Sequence, residues 1–217
     1  MTDEPGLFET MHTMRAMRRL KPTPVPDQVL REVLDAAIRA PSGQNTQPWA
    51  FVVLRDENNR LFFGERYRHW IHTLMGDQQP DSSDNSPAAR SMRAAMHLAD
   101  HMSEVPVIVL VCGKRDWPFA VPREKRVGKA PPSYGSVYPA VENLLLACRA
   151  RGLGASLTTT HQMFEDELTE HLRIPDTYGV VAAIPIGYPT GRFGPVSRHP
   201  VGTVTHFDQW GEQNPQW

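Results

Sequence analysis

Prolines divide this chain into short elements, and this feature limits its fold more strongly than any other. The 217 residues include 20 prolines. Each proline fixes its own φ angle and biases the residue before it away from helix. Pro22, Pro24 and Pro26 therefore predict an extended segment between two helical patterns, and Pro41 follows the end of the second pattern. We expect a fold built from short helices and strands.

Hydrophobic periodicity predicts the elements between these breaks. Amphipathic spacing predicts six helices, over residues 8–17, 27–39, 58–75, 88–102, 137–151 and 164–172. Short apolar runs predict four strands, over residues 49–54, 105–112, 155–158 and 178–186. This order indicates an α+β fold in which one sheet lies among helices. Because no internal repeat or linker divides the chain, residues 1–217 are predicted to form a single domain.

Three stretches have no clear period. Residues 76–87 are rich in Asp, Ser, Gln and Pro, which is typical of a loop, and residues 113–132 exceed the usual connection length. Both segments are predicted to be irregular, and a lid over a ligand site would be formed by one of them. The third stretch, residues 188–217, carries Phe207, Trp210 and Trp217. It is too apolar to remain unpacked, so we expect this C-terminal extension to lie on a second subunit.

The charge and the apolar runs argue against several function classes. A formal net charge of −1 gives no overall attraction to nucleic acid or to an anionic membrane. The longest apolar run, Val105 to Cys112, is far too short to span a bilayer. The first residues lack the basic and apolar regions of a signal peptide. The sequence therefore predicts a cytoplasmic protein with no nucleic-acid or membrane partner.

Common catalytic and metal-binding motifs are missing from the sequence. It contains no GxGxxG after a strand and no Walker A, HExxH, CxxC or GxSxG pattern. The nine histidines include closely spaced pairs, but no cysteine or carboxylate pattern completes a metal site. We therefore expect no bound metal. Cys112 and Cys148 lie in apolar stretches and are predicted to be buried free thiols.

Three separated polar segments indicate a ligand. Arg15 and Arg18 lie three residues apart at the end of the first predicted helix, on neighbouring positions from which they could grip one phosphate. Residues 40–49 present alternating amide side chains to a polar ring or a polyol. Arg198 is a lone arginine in the C-terminal stretch. A solvated basic face would also explain the first segment, and an ordinary turn the second. A DNA-binding module built on residues 15–21 is disfavoured by the near-neutral charge.

Together these segments resemble the nitroreductase family. Residues 40–51, APSGQNTQPWAF, are close to the family pattern A-P-S-x-x-N-x-Q-P-W-x-F. Residues 15–22, RAMRRLKP, resemble its opening R-R-S-x-R-x-F/Y, and residues 152–159, GLGASLTT, resemble its G-L-G start of a strand. Residues 198–206, RHPVGTVTH, resemble its C-terminal R-x-P-x-x-x-V-x-H. The four segments occur in the family's order and span nearly the whole chain.

The resemblance implies an α+β homodimer with a central mixed or antiparallel sheet and two FMN molecules, each held by both subunits. Arg15 and Arg198 would contact the FMN phosphate. Arg18 would lie between the phosphate and the pyrimidine edge of the flavin. The family's serine after the second arginine is Ala16 here, so the backbone amide of Ala16 or the side chain of Arg19 would replace the missing hydrogen bond.

Two further groups of residues are assigned by the same resemblance. The first group would reach the ribityl chain and the ring from the partner subunit. It begins at Pro41 and continues with Ser42, Gly43, Asn45 and Gln47. The second group, Thr158 and Thr159, would lie beside the ring near N5.

The implied activity is reduction of a nitroaromatic, quinone or related small-molecule acceptor by ping-pong turnover. Hydride would pass directly from NADPH or NADH to flavin N5, so the cofactor carries the chemistry and no catalytic side chain is expected. A flavin-fragmenting or dehalogenating relative of the same family is one alternative. A protein that binds or stores flavin without turnover is another.

Overall fold

Helices and strands follow one another along the chain in the predicted order. The computed structural model describes residues 4–76, 82–214 and 216. Within these residues it contains six α-helices: α1 (Leu7–Thr13), α2 (Asp27–Ala37), α3 (Glu57–Met75), α4 (Pro87–Asp100), α5 (Tyr134–Ala150) and α6 (Glu165–His171). The same residues contain four strands: β1 (Trp49–Leu54), β2 (Val107–Lys114), β3 (Gly154–Ala155) and β4 (Tyr178–Gly187).

The four strands form one sheet in the order β1-β2-β4-β3, and every pair of neighbours is antiparallel. The expected α+β fold with a central antiparallel sheet flanked by helices is therefore confirmed. The strand β3 ends at Ala155, so it is shorter than the strand predicted over residues 155–158. Continued in the same register, Ser156 would face Pro185, which has no N–H to donate to the ladder. The chain rejoins the sheet at Thr158, which forms an isolated bridge with Ala183.

Helices cover both faces of the sheet. Along β2, successive side chains point to opposite faces, so Val107, Val109 and Val111 pack in the cluster that contains α2 and α5 residues. Ile108, Leu110 and Cys112 pack in a second cluster with residues of α3, α4 and α6. The strand is buried from Val107 to Gly113, which explains why its sequence is a continuous apolar run and does not alternate with polar residues.

The central helix α5 begins at Tyr134, three residues before its predicted start. Its predicted inward residues are all buried: Val141, Leu144, Leu145 and Cys148. The helix ends before Gly152, whose φ of +71° is a left-handed conformation that glycine adopts without steric cost. The packing of α5 against α2 and the sheet places it in the centre of the chain's own core.

The three stretches without a period differ in structure. Residues 77–81, inside the predicted 76–87 loop, lie outside the described part of the chain. The 113–132 stretch begins as part of β2 and is held at its base by a bridge between Arg115 and Pro132, while Phe119 at its tip is fully exposed. The described part of the C-terminal stretch contains a short 3-10 helix, Val201–Val204, and leaves Trp210 91% exposed. Trp217 lies outside the described residues.

Candidate functional site

The arginine-rich segment is extended, so the prediction that Arg15 and Arg18 occupy neighbouring helical positions is wrong. Helix α1 ends at Thr13, and Met14 already has extended backbone angles. Beyond it, the Met17 N–H donates to Ala155 O at 2.9 Å. The methionine spacing resembles a helix, but pairing of this segment with the edge of the sheet takes precedence over that local pattern.

A glycine permits this close pairing. A Cβ on Gly154 would lie 2.8 Å from Leu20 Cδ2, 2.9 Å from Met17 Cβ and 3.1 Å from Pro189 Cβ. Carbon atoms in ordinary contact are about 3.5–4.0 Å apart. The arginine segment can therefore lie against β3 only because residue 154 has no side chain. Further along, the segment pairs with the chain after β4, where the Thr190 N–H donates to Arg19 O at 3.0 Å.

The structure brings Arg15, Arg18 and Arg19 together around one surface cavity of about 430 Å³. Ala16 also lines it, as do residues that the sequence analysis did not single out: Arg90 and Ser91 of α4, and Thr190. Among the described residues, no acidic side chain lines the cavity. Arg15 Nη2 donates to Arg192 O at 2.9 Å, which holds its guanidinium at one side. The arrangement offers charge-assisted donors to an anion.

A group of hydroxyls lies next to this cavity. Thr158 Oγ1 and Thr160 Oγ1 are 3.1 Å apart. Tyr67 of α3 is buried, and burial raises the pKa of its phenol, while hydrogen bonds to Thr158 and Thr160 and the charge of Arg18 oppose that rise. Arg18 is therefore close enough to the hydroxyl group to act on it electrostatically. Thr159 is exposed beside these residues. Tyr67 and Thr160 were missed because only the fold connects α3 to residues 158–160.

His161 ties this segment to the sheet. Its side chain is fully buried, and its Nε2 lies 2.9 Å from Val180 O, to which it donates in the neutral form. Burial lowers the pKa of His161, and the contacts with carbonyl oxygens and Glu165 only partly offset that effect. The Ser156 hydroxyl is buried and has no hydrogen-bond partner among the residues that the structure describes.

The loop that follows Pro41 is exposed and has an unusual backbone. Gln44, Asn45 and Gln47 all have positive φ angles, between 47° and 54°. Asparagine tolerates this conformation better than most residues. The turn is held by the Gln47 N–H, which donates to Ser42 Oγ at 3.0 Å, and by the Gly43 N–H, which donates to Ser136 Oγ of α5 at 3.3 Å. The side chains of Asn45 and Gln47 point to solvent.

Arg198 does not line the arginine cavity within this chain. Its guanidinium donates to the adjacent Ser197 O at 2.8 Å, and the side chain is exposed. The loop of residues 41–47 likewise does not line this cavity, and it is bonded to α5. The fold thus brings Arg15, Arg18 and Arg19 into one cavity, and it leaves the other two predicted segments on the surface.

Other expectations concern thiols, metals and membranes. Cys112 and Cys148 are free and buried, as predicted. Burial raises the pKa of Cys112 to about 12, with a further contribution from Glu165, and burial also raises the pKa of Cys148. Among residues 4–76, 82–214 and 216, no cluster of three His, Cys, Asp or Glu side chains could hold a metal ion. Within the same ranges, no helix is both long and apolar enough to cross a membrane.

The fold and the arginine cavity define the class of protein. An antiparallel sheet between helices carries an extended arginine segment against its edge, next to a group of hydroxyls. The model of the nitroreductase family matches residues 13–188, which is most of the chain. The chain belongs to the nitroreductase family.

Two curated relatives illustrate the range of this family. Iodotyrosine deiodinase 1 of Rattus norvegicus is 28% identical over 188 residues, which cover 84% of this chain and 62% of that protein. The chain thus spans less than two thirds of the length of the deiodinase. 4-Nitrobenzoate reductase of Pseudomonas putida is 23% identical over 203 residues, which cover 80% of this chain and 81% of the reductase.

A solved structure shows the same fold. Oxidised iodotyrosine deiodinase, crystallised with FMN and 3-iodo-L-tyrosine, matches with a TM-score of 0.72. The match covers 94% of this chain and 100% of the deiodinase chain, at 23% sequence identity.

Proposed function

We propose that the protein is an FMN-dependent oxidoreductase that uses NADPH or NADH to reduce nitroaromatic, quinone or related acceptors. The observation that carries this proposal is the cavity lined by Arg15, Arg18 and Arg19 next to the Thr158 hydroxyl, in a chain of the nitroreductase family. The phosphate of FMN is a dianion that needs fixed positive donors, and arginine supplies them as a planar fork. The residues present therefore fit the cofactor.

Each residue has a defined task in this proposal. Arg15 and the backbone amide of Ala16 bind the phosphate, and this amide compensates for the absent serine hydroxyl. Arg18 lies between phosphate and ring, where its charge favours the anionic reduced cofactor. Thr158 and Thr159 orient the ring by hydrogen bonds near N5. When bound, FMN supplies the redox chemistry by accepting hydride from the nucleotide and passing electrons to the acceptor, so no side chain needs to act as nucleophile or general base.

We further propose that the partner subunit completes the site. The side chains of Asn45 and Gln47 are exposed, although their turn is held by the hydrogen bond from the Gln47 N–H to Ser42 Oγ. In the proposed homodimer the loop of each subunit faces the other's flavin: Ser42, Gly43, Asn45 and Gln47. Arg198 reaches a phosphate from the C-terminal extension in the same assembly.

The exposed apolar side chains support a dimer. Val201, Val204 and Trp210 of the C-terminal extension are 62%, 67% and 91% exposed, and Leu7 and Phe8 of α1 are 62% and 73% exposed. Burial of apolar surface contributes about 25 cal/mol per Å², so covering these side chains favours association.

Reductive dehalogenation is a second candidate function. It is favoured by the similarity to iodotyrosine deiodinase 1 over 84% of the chain. A halogenated aromatic would then be the acceptor at the same cofactor, and the arginine cavity would have the same task.

The test starts with the purified protein, which is expected to bind about one FMN per chain. NADPH or NADH is added without oxygen, and loss of the flavin absorbance is followed before a nitroaromatic, a quinone or 3-iodotyrosine is supplied. Rapid bleaching and reoxidation by the first two acceptors support the proposal. Reoxidation by iodotyrosine alone, with iodide release, supports the second candidate. Bound FMN that no nucleotide reduces indicates storage, and failure to bind FMN contradicts the proposal altogether.

A further inference from the structure

The arginine cavity carries more positive charge than one FMN phosphate requires. Four arginines line it: Arg15, Arg18, Arg19 and Arg90. In the part of the chain that the structure describes, none of the four forms an ion pair. The described residues that line the cavity also include no acidic side chain. A phosphate monoester carries about two negative charges at neutral pH, so roughly two positive charges remain unneutralised.

The four arginines that line the cavity come from two elements: Arg15, Arg18 and Arg19 from the extended segment, and Arg90 from α4. Arg15 is fixed at one side by its bond to Arg192 O. Arg19 lies towards α4, since burial and then the charge of Arg19 are the main causes that lower the pKa of His97 on that helix. Arg90 belongs to α4 itself. Four residues of extended chain span up to about 13 Å, which exceeds the width of a single phosphate group.

We propose that Arg19 and Arg90 form a second anion subsite, which binds a carboxylate or phosphate of the small molecule that reacts at the flavin. This inference rests on the proposed function, because it places the FMN phosphate at the Arg15 side. Ser91, which follows Arg90 on α4, adds a hydroxyl donor to the lining of the cavity. Two molecules can supply an anionic group of this chemistry. One is a carboxylate on the acceptor, and the other is the additional phosphate that distinguishes NADPH from NADH.

Paired ligands that differ only in the anion separate these sources. The FMN-loaded protein is titrated with 4-nitrobenzoate and with neutral 4-nitrobenzamide, followed by flavin absorbance. NADP⁺ and NAD⁺ are compared by calorimetry. The test variant is Arg90→Gln. Its matched control is Arg93→Gln, which removes the same charge from α4 at a residue that does not line the cavity.

In the Arg90→Gln variant, the Kd of the anionic member of one pair should rise about tenfold, the scale of one lost charge-assisted hydrogen bond. The neutral member should change less than about twofold, and so should the Kd of FMN. A rise for nitrobenzoate identifies the acceptor as the source, and a rise for NADP⁺ identifies the nucleotide. Equal changes within both pairs, a matching effect of Arg93→Gln, or a large loss of FMN affinity would overturn the subsite.

Failure of the proposed function gives a different result. If the wild-type protein binds no FMN, the flavin assignment is wrong, and the same four compounds are titrated by calorimetry onto the protein as purified. The cavity attracts anions without flavin, so dependence of nitrobenzoate or NADP⁺ binding on Arg90 still supports the subsite. Independence from Arg90 in that titration overturns it.

Discussion

The close approach of the arginine segment to β3 should make Gly154→Ala costly. The new Cβ would lie 2.9 Å from Met17 Cβ, an atom next to the backbone, and 2.8 Å from Leu20 Cδ2. The leucine tip can rotate away, but the methionine Cβ moves only with the main chain. Overpacking of this kind costs about 1–3 kcal/mol. In a chain of this size each kcal/mol lowers Tm by about 2–4 °C, so a loss of roughly 4–8 °C is expected for a cost near 2 kcal/mol.

The same substitution should weaken flavin binding. Displacing Met17 stretches its bond to Ala155 O and shifts Arg18, so the Kd of FMN should rise about tenfold, equivalent to ~1.4 kcal/mol. Thermal unfolding of the FMN-free protein and fluorescence titration with FMN measure the two effects separately. Gly135→Ala is the control, because a Cβ there meets nothing within 4 Å and alanine favours helix. If Gly154→Ala matched this control in both assays, the packing argument would be refuted.

Three further outcomes are expected. Arg198→Ala should weaken FMN binding by about 1–3 kcal/mol, whereas Arg123→Ala, in the exposed 113–132 stretch, should leave the titration unchanged; equal effects would count against a phosphate contact. Deletion from Gly202 onward should favour monomer in light scattering and lower flavin occupancy, since a ligand that binds only the dimer is linked to association; a monomer that retained full FMN would contradict the shared site. His161 has a folded-state pKa below the unfolded value of about 6.5, so the unfolded chain binds more protons as pH falls below that value and the stability of the fold decreases. Chemical denaturation at pH 7 and pH 5 should show a smaller loss of stability in the His161→Gln variant than in the wild type. An equal loss in both proteins would refute this origin.

Local pattern was sufficient for most of the fold. The helix α5 and the strand β2 are long and strongly apolar, so their type and their inward residues could be predicted from periodicity alone. The end of α1 could not be predicted from periodicity. Phe8, Met11, Met14 and Met17 are spaced as on one helical face, but Met17 is buried against the sheet edge in extended backbone. A single sequence does not reveal this partner, because Ala155 lies 138 residues further along the chain.

The same distinction between local pattern and distant partners applies to the candidate site. Arg15 and Arg18 could be found because both lie in one short motif, and the structure brings them to one cavity. Arg90 and Tyr67 lie on separate helices whose sequences contain no motif, and they reach the site only through the packing of α3 and α4 around the sheet. Residues supplied by neighbouring elements are therefore the part of a site that sequence reasoning misses.

Two properties of the surface support an incomplete site within one chain. The loop after Ser42 adopts a costly backbone, with Gln44, Asn45 and Gln47 at positive φ, yet the side chains of these three residues are exposed. Backbone strain of this kind costs on the order of 1 kcal/mol per residue and persists where surrounding structure or function requires it. The arginine cavity likewise gathers positive charges without acidic partners. Both costs are offset at once if a second subunit places the loop over an anionic cofactor held by the arginines. The dimer and the flavin are thus one proposal, and the truncation at Gly202 tests them together.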